Sequence, residues 1–401
     1  VREQASRQRS RRARRRGALA VAVAAAGAVG LLAAPAASAA PAASAAPAAL
    51  PAPASTPAAA YDPVQRGLDS LVRHYGVPAA LAGVRSRDGA TRDRTSGVGD
   101  LATGSAVPVD GQVRVGSNTK AFTAVVVLQL VDEGRLGLDD PVEDHLPGLL
   151  RGDGIDGNDI TVRQLLQQTS GLPNYTEYED LRPRPYDPRE LVALALRHKA
   201  EFEPGKSWKY SNTNYVVAGL LVEAVTHRPF ADELERRVVE KAGLRHTYFP
   251  ASGEAGIRGP HPHGYYPLEP GAPLSDVTEI DPSWAWAAGQ LVSTNSDLNR
   301  FFGTLMSGGL VSKGALAEMR RTVKAEYFGP GARYGLGLVS RPLSCGGRYW
   351  GHGGSFPGYE TRGGATPDGR RAANVAVTTQ PADKGYLKRM EAVVDAALCH
   401  R

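Results

Sequence analysis

The chain has 401 residues, 42% of them hydrophobic, which is enough for one large or two closely packed domains with a sizeable core. Its net charge of +6 belongs to the beginning: residues 1–16 hold eight arginines and one glutamate, and everything after Arg16 sums to −1. That distribution argues against nucleic-acid binding by the body of the protein, because the basic stretch is part of a leader.

From Gly17 an uncharged Ala/Val/Leu run leads to Ala-Ser-Ala at 37–39 and again at 43–45. This is the order of regions in a secretory signal, so residues 1–40 are expected to be a signal peptide and the chain to be secreted. "SRRARRR" at 10–16 allows twin-arginine as well as Sec export. An apolar run of about 20 residues also spans a bilayer. The small-residue exit favours cleavage, and no membrane span is expected to remain afterwards. Residues 41–60, rich in Ala and Pro, read as a linker without the large apolar groups a core needs. A single folded domain is expected over 61–401.

"DPVQRGLDSLVRHYG" places Val64, Leu68, Leu71 and Val72 on one helical face, and the next stretch reads as a hairpin turning at Asp88-Gly89. The centre predicts helices over 117–134, 161–168, 188–199 and 213–227, joined by Pro- and Gly-rich loops. Short β-leaning runs return in "RYGLGLVSRP", "RYWGHGG", "TRGGATPDGR" and "RAANVAVTTQ". The chain then closes on a helix with Leu387, Met390, Val394 and Leu398 aligned. Strands at both ends around a helical middle predict an α+β fold. Its antiparallel sheet is built from both chain ends with flanking helices, and a mostly helical region is inserted at about 120–330. The two cysteines, Cys345 and Cys399, are expected to pair and tie down the last helix, since export permits a disulfide.

Three short motifs bear on chemistry. In "VRVGSNTKAF" Ser117 and Lys120 are three residues apart where a helix begins, so an amine can sit beside a hydroxyl and, with a lowered pKa, move its proton. The plainer reading is a serine N-cap with a solvated lysine. In "KYSNTNYVVAGLL" Tyr210 and Asn212 lead into another helix. A tyrosinate near an ammonium serves as a base, and an asparagine amide orients a carbonyl. In "WGHGGSFPGY" His352 precedes two glycines on a strand edge, where an exposed N–H completes an oxyanion hole with that of Ser117.

Ser-x-x-Lys, Tyr-x-Asn and His-x-Gly in this order and spacing resemble the penicillin-recognising serine hydrolases: DD-peptidases, class C β-lactamases and related esterases. Within them the chain is most similar to secreted actinomycete D-alanyl-D-alanine carboxypeptidases, through "QTSGLPNYT", "YSNTNYVVAGLL", "STNSDLNRFF", "YGLGL" and "LSCGG", a likeness that runs from about Tyr61 to Cys399. The resemblance implies a β-lactamase/transpeptidase-like fold, with Ser117 as nucleophile and Lys120 and Tyr210 as the proton-transfer pair. Asn212 would contact the substrate amide and His352 would stand beside the leaving group. Gly354 and Ser355 would form the strand edge, with the N–H groups of Ser117 and Ser355 as the oxyanion hole. Trp284 in "PSWAWAAG" would be a wall of the cleft, and Cys345–Cys399 a disulfide of the family type.

The implied function is a penicillin-sensitive D-Ala-D-Ala carboxypeptidase working through an acyl-enzyme. Its expected partners are peptidoglycan-type D-Ala-D-Ala peptides or β-lactams, without cofactor or metal, and the chain is expected to be a monomer. A β-lactamase, esterase or D-aminopeptidase of the same fold is the alternative. Two departures give that alternative its weight. Close relatives have an arginine directly after "GLGL" and a His-Thr-Gly third motif, where this chain has Val339 and Gly353. Losing a guanidinium and a hydroxyl from a carboxylate site removes on the order of a few kcal/mol of binding, unless Arg341 or Arg362 substitutes.

Overall fold

In the computed structural model, residues 62–399 are described, apart from 179, 180, 182, 183 and 270. The expected signal peptide and linker lie outside the described residues. The helix Pro63–Tyr75 starts where the Asp62 carboxylate accepts from the N–H groups of Val64 and Gln65, and stops at Gly76, whose φ of 66 suits a glycine. Val64, Leu68 and Leu71 form its buried face. The hairpin follows as strands Ala79–Arg85 and Thr91–Gly97, turning at Asp88-Gly89 as the sequence predicts.

Ala79–Arg85 also pairs antiparallel with Ala372–Val377, so the two ends of the domain meet in one sheet. From one edge, this nine-stranded sheet runs Thr91–Gly97, Ala79–Arg85, Ala372–Val377, Tyr359–Ala365, Arg348–Gly351, Val339–Pro342, Arg333–Tyr334 and Val323–Lys324. The short strand Gly354–Phe356 pairs with Tyr359–Ala365 beside this path. All these pairings are antiparallel.

Helices Pro63–Tyr75 and Gly385–Cys399 share a core with the sheet, in which Leu68, Leu71, Val377, Met390, Val394 and Leu398 are buried and Leu387 is partly buried. The larger core joins the sheet to the helical region. At its centre the helix Thr119–Asp132 is buried from Thr119 to Leu130, and Asn212–Thr226 is buried from Thr213 to Val222. Both are apolar around most of their circumference, as a helix enclosed by protein must be. Each begins at a chemistry-bearing motif, so packing of the core fixes where the motifs point.

Cys345 and Cys399 form a disulfide with Cα atoms 5.7 Å apart and a sequence separation of 54. It fastens the end of the last helix to the sheet side of the molecule. Replacing both cysteines by serine should lower unfolding free energy by about 2–4 kcal/mol, because the unfolded chain regains the freedom of a long loop. Equal urea midpoints for the variant and the disulfide-intact protein would contradict this.

Candidate active site

The nucleophile motif does not fold as an N-cap. Gly116–Asn118 forms a 3₁₀ turn and the α-helix begins at Thr119, with no side-chain cap on either element. Buried side chains hold the turn instead: Asn118 Nδ2 donates to Val115 O at 2.9 Å and to Thr361 Oγ1 at 2.7 Å, and Thr119 Oγ1 donates to Gly116 O at 2.8 Å. Ser117 Oγ is left free to face Lys120, whose Nζ lies 3.0 Å away.

Lys120 is fully buried. Its Nζ donates to Asn212 Oδ1 and to Ala288 O, each at 2.7 Å. Burial pushes its pKa well below the ordinary lysine value of 10.5. A neutral amine has two N–H groups and one lone pair. The two acceptors take the N–H groups, and the lone pair remains for the Ser117 hydroxyl. The Tyr210 ring centroid is 4.8 Å from Nζ. Burial, with Tyr334 nearby, raises the Tyr210 phenol well above 10, against the pull of the Ser117 hydroxyl it faces. Burial thus favours the neutral form of both, which makes the amine rather than a tyrosinate the group placed to take a proton from Ser117.

Asn212, expected to touch substrate, is engaged on both ends of its amide. Oδ1 accepts from Lys120, and Nδ2 donates to Thr176 Oγ1 at 3.2 Å. His352 is 2% exposed and likewise has both nitrogens occupied, Nδ1 by Gly353 O and Nε2 by the Tyr334 hydroxyl at 3.3 Å. Burial, with Lys120 beside it, pushes the imidazole down to about 3, so the ring is neutral at pH 7.

Two glycines let the strand edge reach the nucleophile. A Cβ on Gly354 would lie 1.9 Å from Val115 O and 2.8 Å from Ser117 N. A Cβ on Gly116, at φ 50, would lie 2.9 Å from Ser355 N. Backbone therefore meets backbone, bringing the N–H groups of Ser117 and Ser355 to the same place, as an oxyanion hole requires.

These residues line one cleft of about 1100 Å³. Trp284 stacks on Phe356 with ring centroids 5.1 Å apart and forms one wall, while Tyr327 and Phe328 pack around Tyr210 on the other. Beyond Ser355 the cleft is charged. Glu360, 2% exposed, accepts from Ser355 Oγ at 2.8 Å and pairs with Arg362. Arg362 and Arg341 both reach Glu391, at 3.4 and 3.1 Å. A Cβ on Gly353 would lie 2.7 Å from Arg362 Nη1, so the arginine fills the space a threonine would need. The motifs thus converge with Trp284 as expected. Sequence reasoning missed Ala288 O, Glu360, Gln168 and Tyr334. A backbone carbonyl leaves no residue-type signal, and the other three lie outside the motifs, although Gln168 begins the quoted "QTSGLPNYT".

The rate at which Ser117 is acylated should rise with pH along a limb centred well below 10.5, as Lys120 loses its proton. Lys120→Arg should flatten the limb and slow acylation at least about 10²-fold, because a guanidinium stays charged. Stopped-flow labelling across pH measures both, and a limb at 10.5 or an active Lys120→Arg would contradict the assignment.

The beta-lactamase family profile matches residues 64–398. A D-stereospecific amidohydrolase from Streptomyces sp. is 39% identical, with a TM-score of 0.76 over 84% of this chain and 98% of that one. D-amino acid amidase from Ochrobactrum anthropi SV3 is 27% identical, with a TM-score of 0.73 over 83% and 97%. Protein flp of Staphylococcus aureus (strain MW2) is 29% identical over 192 residues, 47% of this chain but only 37% of that longer protein. With its fold, its motifs and this match, the chain belongs to the beta-lactamase family of penicillin-recognising serine hydrolases.

Proposed function

We propose that this serine hydrolase acts through an acyl-enzyme on Ser117 and prefers D-aminoacyl amides or D-amino-terminal peptides to peptides ending in D-Ala-D-Ala. Lys120 takes the Ser117 proton as the hydroxyl attacks the carbonyl. The N–H groups of Ser117 and Ser355 hold the developing oxyanion, and Tyr210 passes a proton to the departing nitrogen while taking up the one that Lys120 removed from Ser117, so that both end neutral. Water then resolves the ester.

The observation that carries the preference is the state of the two arginines. A carboxypeptidase must hold a free substrate carboxylate. The arginine and threonine of close relatives are replaced by Val339 and Gly353, and the candidate substitutes are spent. Arg362 is paired with Glu360 and Glu391, and Arg341 with Glu391. Burial opposes the charge of Arg362, yet its pKa is raised because Glu360 and Glu391 face it. An incoming carboxylate would have to displace a partner already held within the protein. The likeness to proteins named D-stereospecific amidohydrolase and D-amino acid amidase supports the same reading.

The test compares hydrolysis of D- and L-alanyl-p-nitroanilide, D-phenylalanine amide and a diacetylated Lys-D-Ala-D-Ala peptide by residues 61–401, with Ser117→Ala as control. Faster turnover of the D-aminoacyl compounds, abolished in Ser117→Ala, is expected. Preferential release of D-alanine from the tripeptide would restore the carboxypeptidase, and rapid turnover of a fluorescent penicillin would point to a lactamase.

The leader motivates a second proposal, that this activity is exported. N-terminal sequencing of protein recovered from culture medium should give a start just after Ala39 or Ala45. Full-length chain retained with the cells would contradict export.

A further inference from the structure

Behind the cleft runs a chain of buried polar groups that the acyl-transfer chemistry does not use. It begins at Gln168, the left-handed residue ending the helix Val162–Gln167, with φ 67. Its Oε1 accepts from the Ser211 N–H at 2.9 Å and from Asn214 Nδ2 at 2.6 Å, inside the Tyr210–Asn212 motif and two residues past its end. Its carbonyl accepts from the Lys209 N–H at 3.1 Å, just before that motif. Its Nε2 makes no hydrogen bond of its own among the described residues and faces the Tyr334 hydroxyl oxygen.

Tyr334 carries the chain across to the third motif. Its hydroxyl is 3.3 Å from His352 Nε2, and His352 Nδ1 bonds Gly353 O. A carbonyl oxygen only accepts, so Nδ1 holds the ring proton. In a neutral imidazole Nε2 is then the acceptor, and Tyr334 must donate to it. The proton directions are thereby fixed from Tyr334 to the third motif. Gln168 and Tyr334 have no exposed surface, Ser211 is 1% exposed and His352 2%. Any member left unpaired would lose its partner with no water to replace it. Tyr215, whose hydroxyl donates to Leu166 O at 2.7 Å, also neighbours the Tyr334 hydroxyl and limits its movement.

We propose that Gln168 and Tyr334 are positioning residues, a buried brace that sets the separation between the Tyr210–Asn212 loop and the His352–Ser355 strand edge. With that separation fixed, Ser117 meets its proton acceptor and both oxyanion N–H groups in one geometry. This rests on the acyl-transfer reading above, and gives His352 a role in orienting the strand through Gly353 rather than in touching the leaving group. A tyrosine that only filled the core beside Trp208 and Phe328 would need no hydroxyl, and a helix-ending residue would need no amide.

The experiment uses Tyr334→Phe, which keeps the ring, together with Gln168→Met and the double variant. Each is measured for folded fraction, for turnover of D-alanyl-p-nitroanilide and for the rate of Ser117 labelling by a fluorophosphonate. Misplacement of a catalytic group by a fraction of an ångström to one ångström costs up to about 100-fold. Tyr334→Phe should therefore lower kcat and labelling about 10- to 100-fold with KM little changed. The double variant should be no worse than the poorer single one, since both act through one chain.

Unchanged kcat with only a lower Tm, a loss confined to KM, or losses that multiply in the double variant would each overturn the brace. The fluorophosphonate keeps the two proposals apart. Wild-type protein that labels at Ser117 but leaves D-aminoacyl amides intact overturns the substrate reading. A labelling rate unaltered by Tyr334→Phe overturns the brace.

Discussion

Lys120 has no exposed surface, and around its amine stand two carbonyl-type acceptors and one hydroxyl. A charged ammonium would find three acceptors for its protons but would surrender its hydration shell, at a cost of several kcal/mol in a dry interior. A neutral amine fits the same surroundings without remainder. The site therefore favours the base form by exclusion of water, with no neighbouring cation needed. That requirement reaches far into the fold. The helix that carries Lys120 must be enclosed on every side, which is why Phe122, Val125, Val126 and Leu128 are all fully buried around one turn after another. Asn212 and Ala288 must come from separate parts of the chain to supply the acceptors, so the whole helical region has to be in place before the lysine is correct.

The second constraint is backbone approach. An oxyanion hole made of two N–H groups needs two strands of main chain closer than side chains allow, and Gly116 and Gly354 each remove the atom that would collide. The contact lies where the helical region meets the large sheet, and Asn118 reinforces it by bonding to Thr361 on the neighbouring strand. The nucleophile turn is thus held from the sheet side by backbone and Asn118, and from the helical side by Lys120. The Ser117 side chain takes part only through its contact with Lys120 Nζ.

Much of this was legible in the sequence, for a physical reason. Periodicity reports burial, so the first helix, the hairpin at Asp88-Gly89, the central helices and the last helix all fall where apolar spacing put them. Motifs report side chains that do chemistry, so Ser117, Lys120, Tyr210 and His352 were recognisable in register. Local pattern failed where the partner is remote or is backbone. Ser117 looked like a cap because Ser before an apolar helix usually is one, and nothing local reveals a 3₁₀ turn held by Thr361, 243 residues along the chain. Asn212 looked free to meet substrate because its partner Lys120 is 92 residues away. Gln168 and Tyr334 begin the quoted "QTSGLPNYT" and "YGLGL", but nothing in either stretch signals a role, since their partners are distant in sequence.

The same division explains how such a site can keep its chemistry while its substrate changes. Ser117, Lys120, Tyr210 and Asn212 sit at the starts of buried helices or against them, where any substitution disturbs the core. Val339, Arg341, Glu360 and Arg362 lie on strands, and Gly353 in the short link between two of them, at the open, charged end of the cleft. There a glycine in place of threonine admits the Arg362 side chain, and that arginine then finds its counter-charges in Glu360 and Glu391 instead of in a ligand. The two arginines at this end of the cleft are thereby paired within the protein, while the groups around Ser117 stay where they are. Because Glu360 also accepts from Ser355 Oγ, next to the oxyanion N–H, the closed ion-pair cluster adjoins the reacting centre and fixes the side chain at its border. On the substrate preference proposed above, selectivity would be set within one residue of Ser355, by groups that take no part in moving the proton.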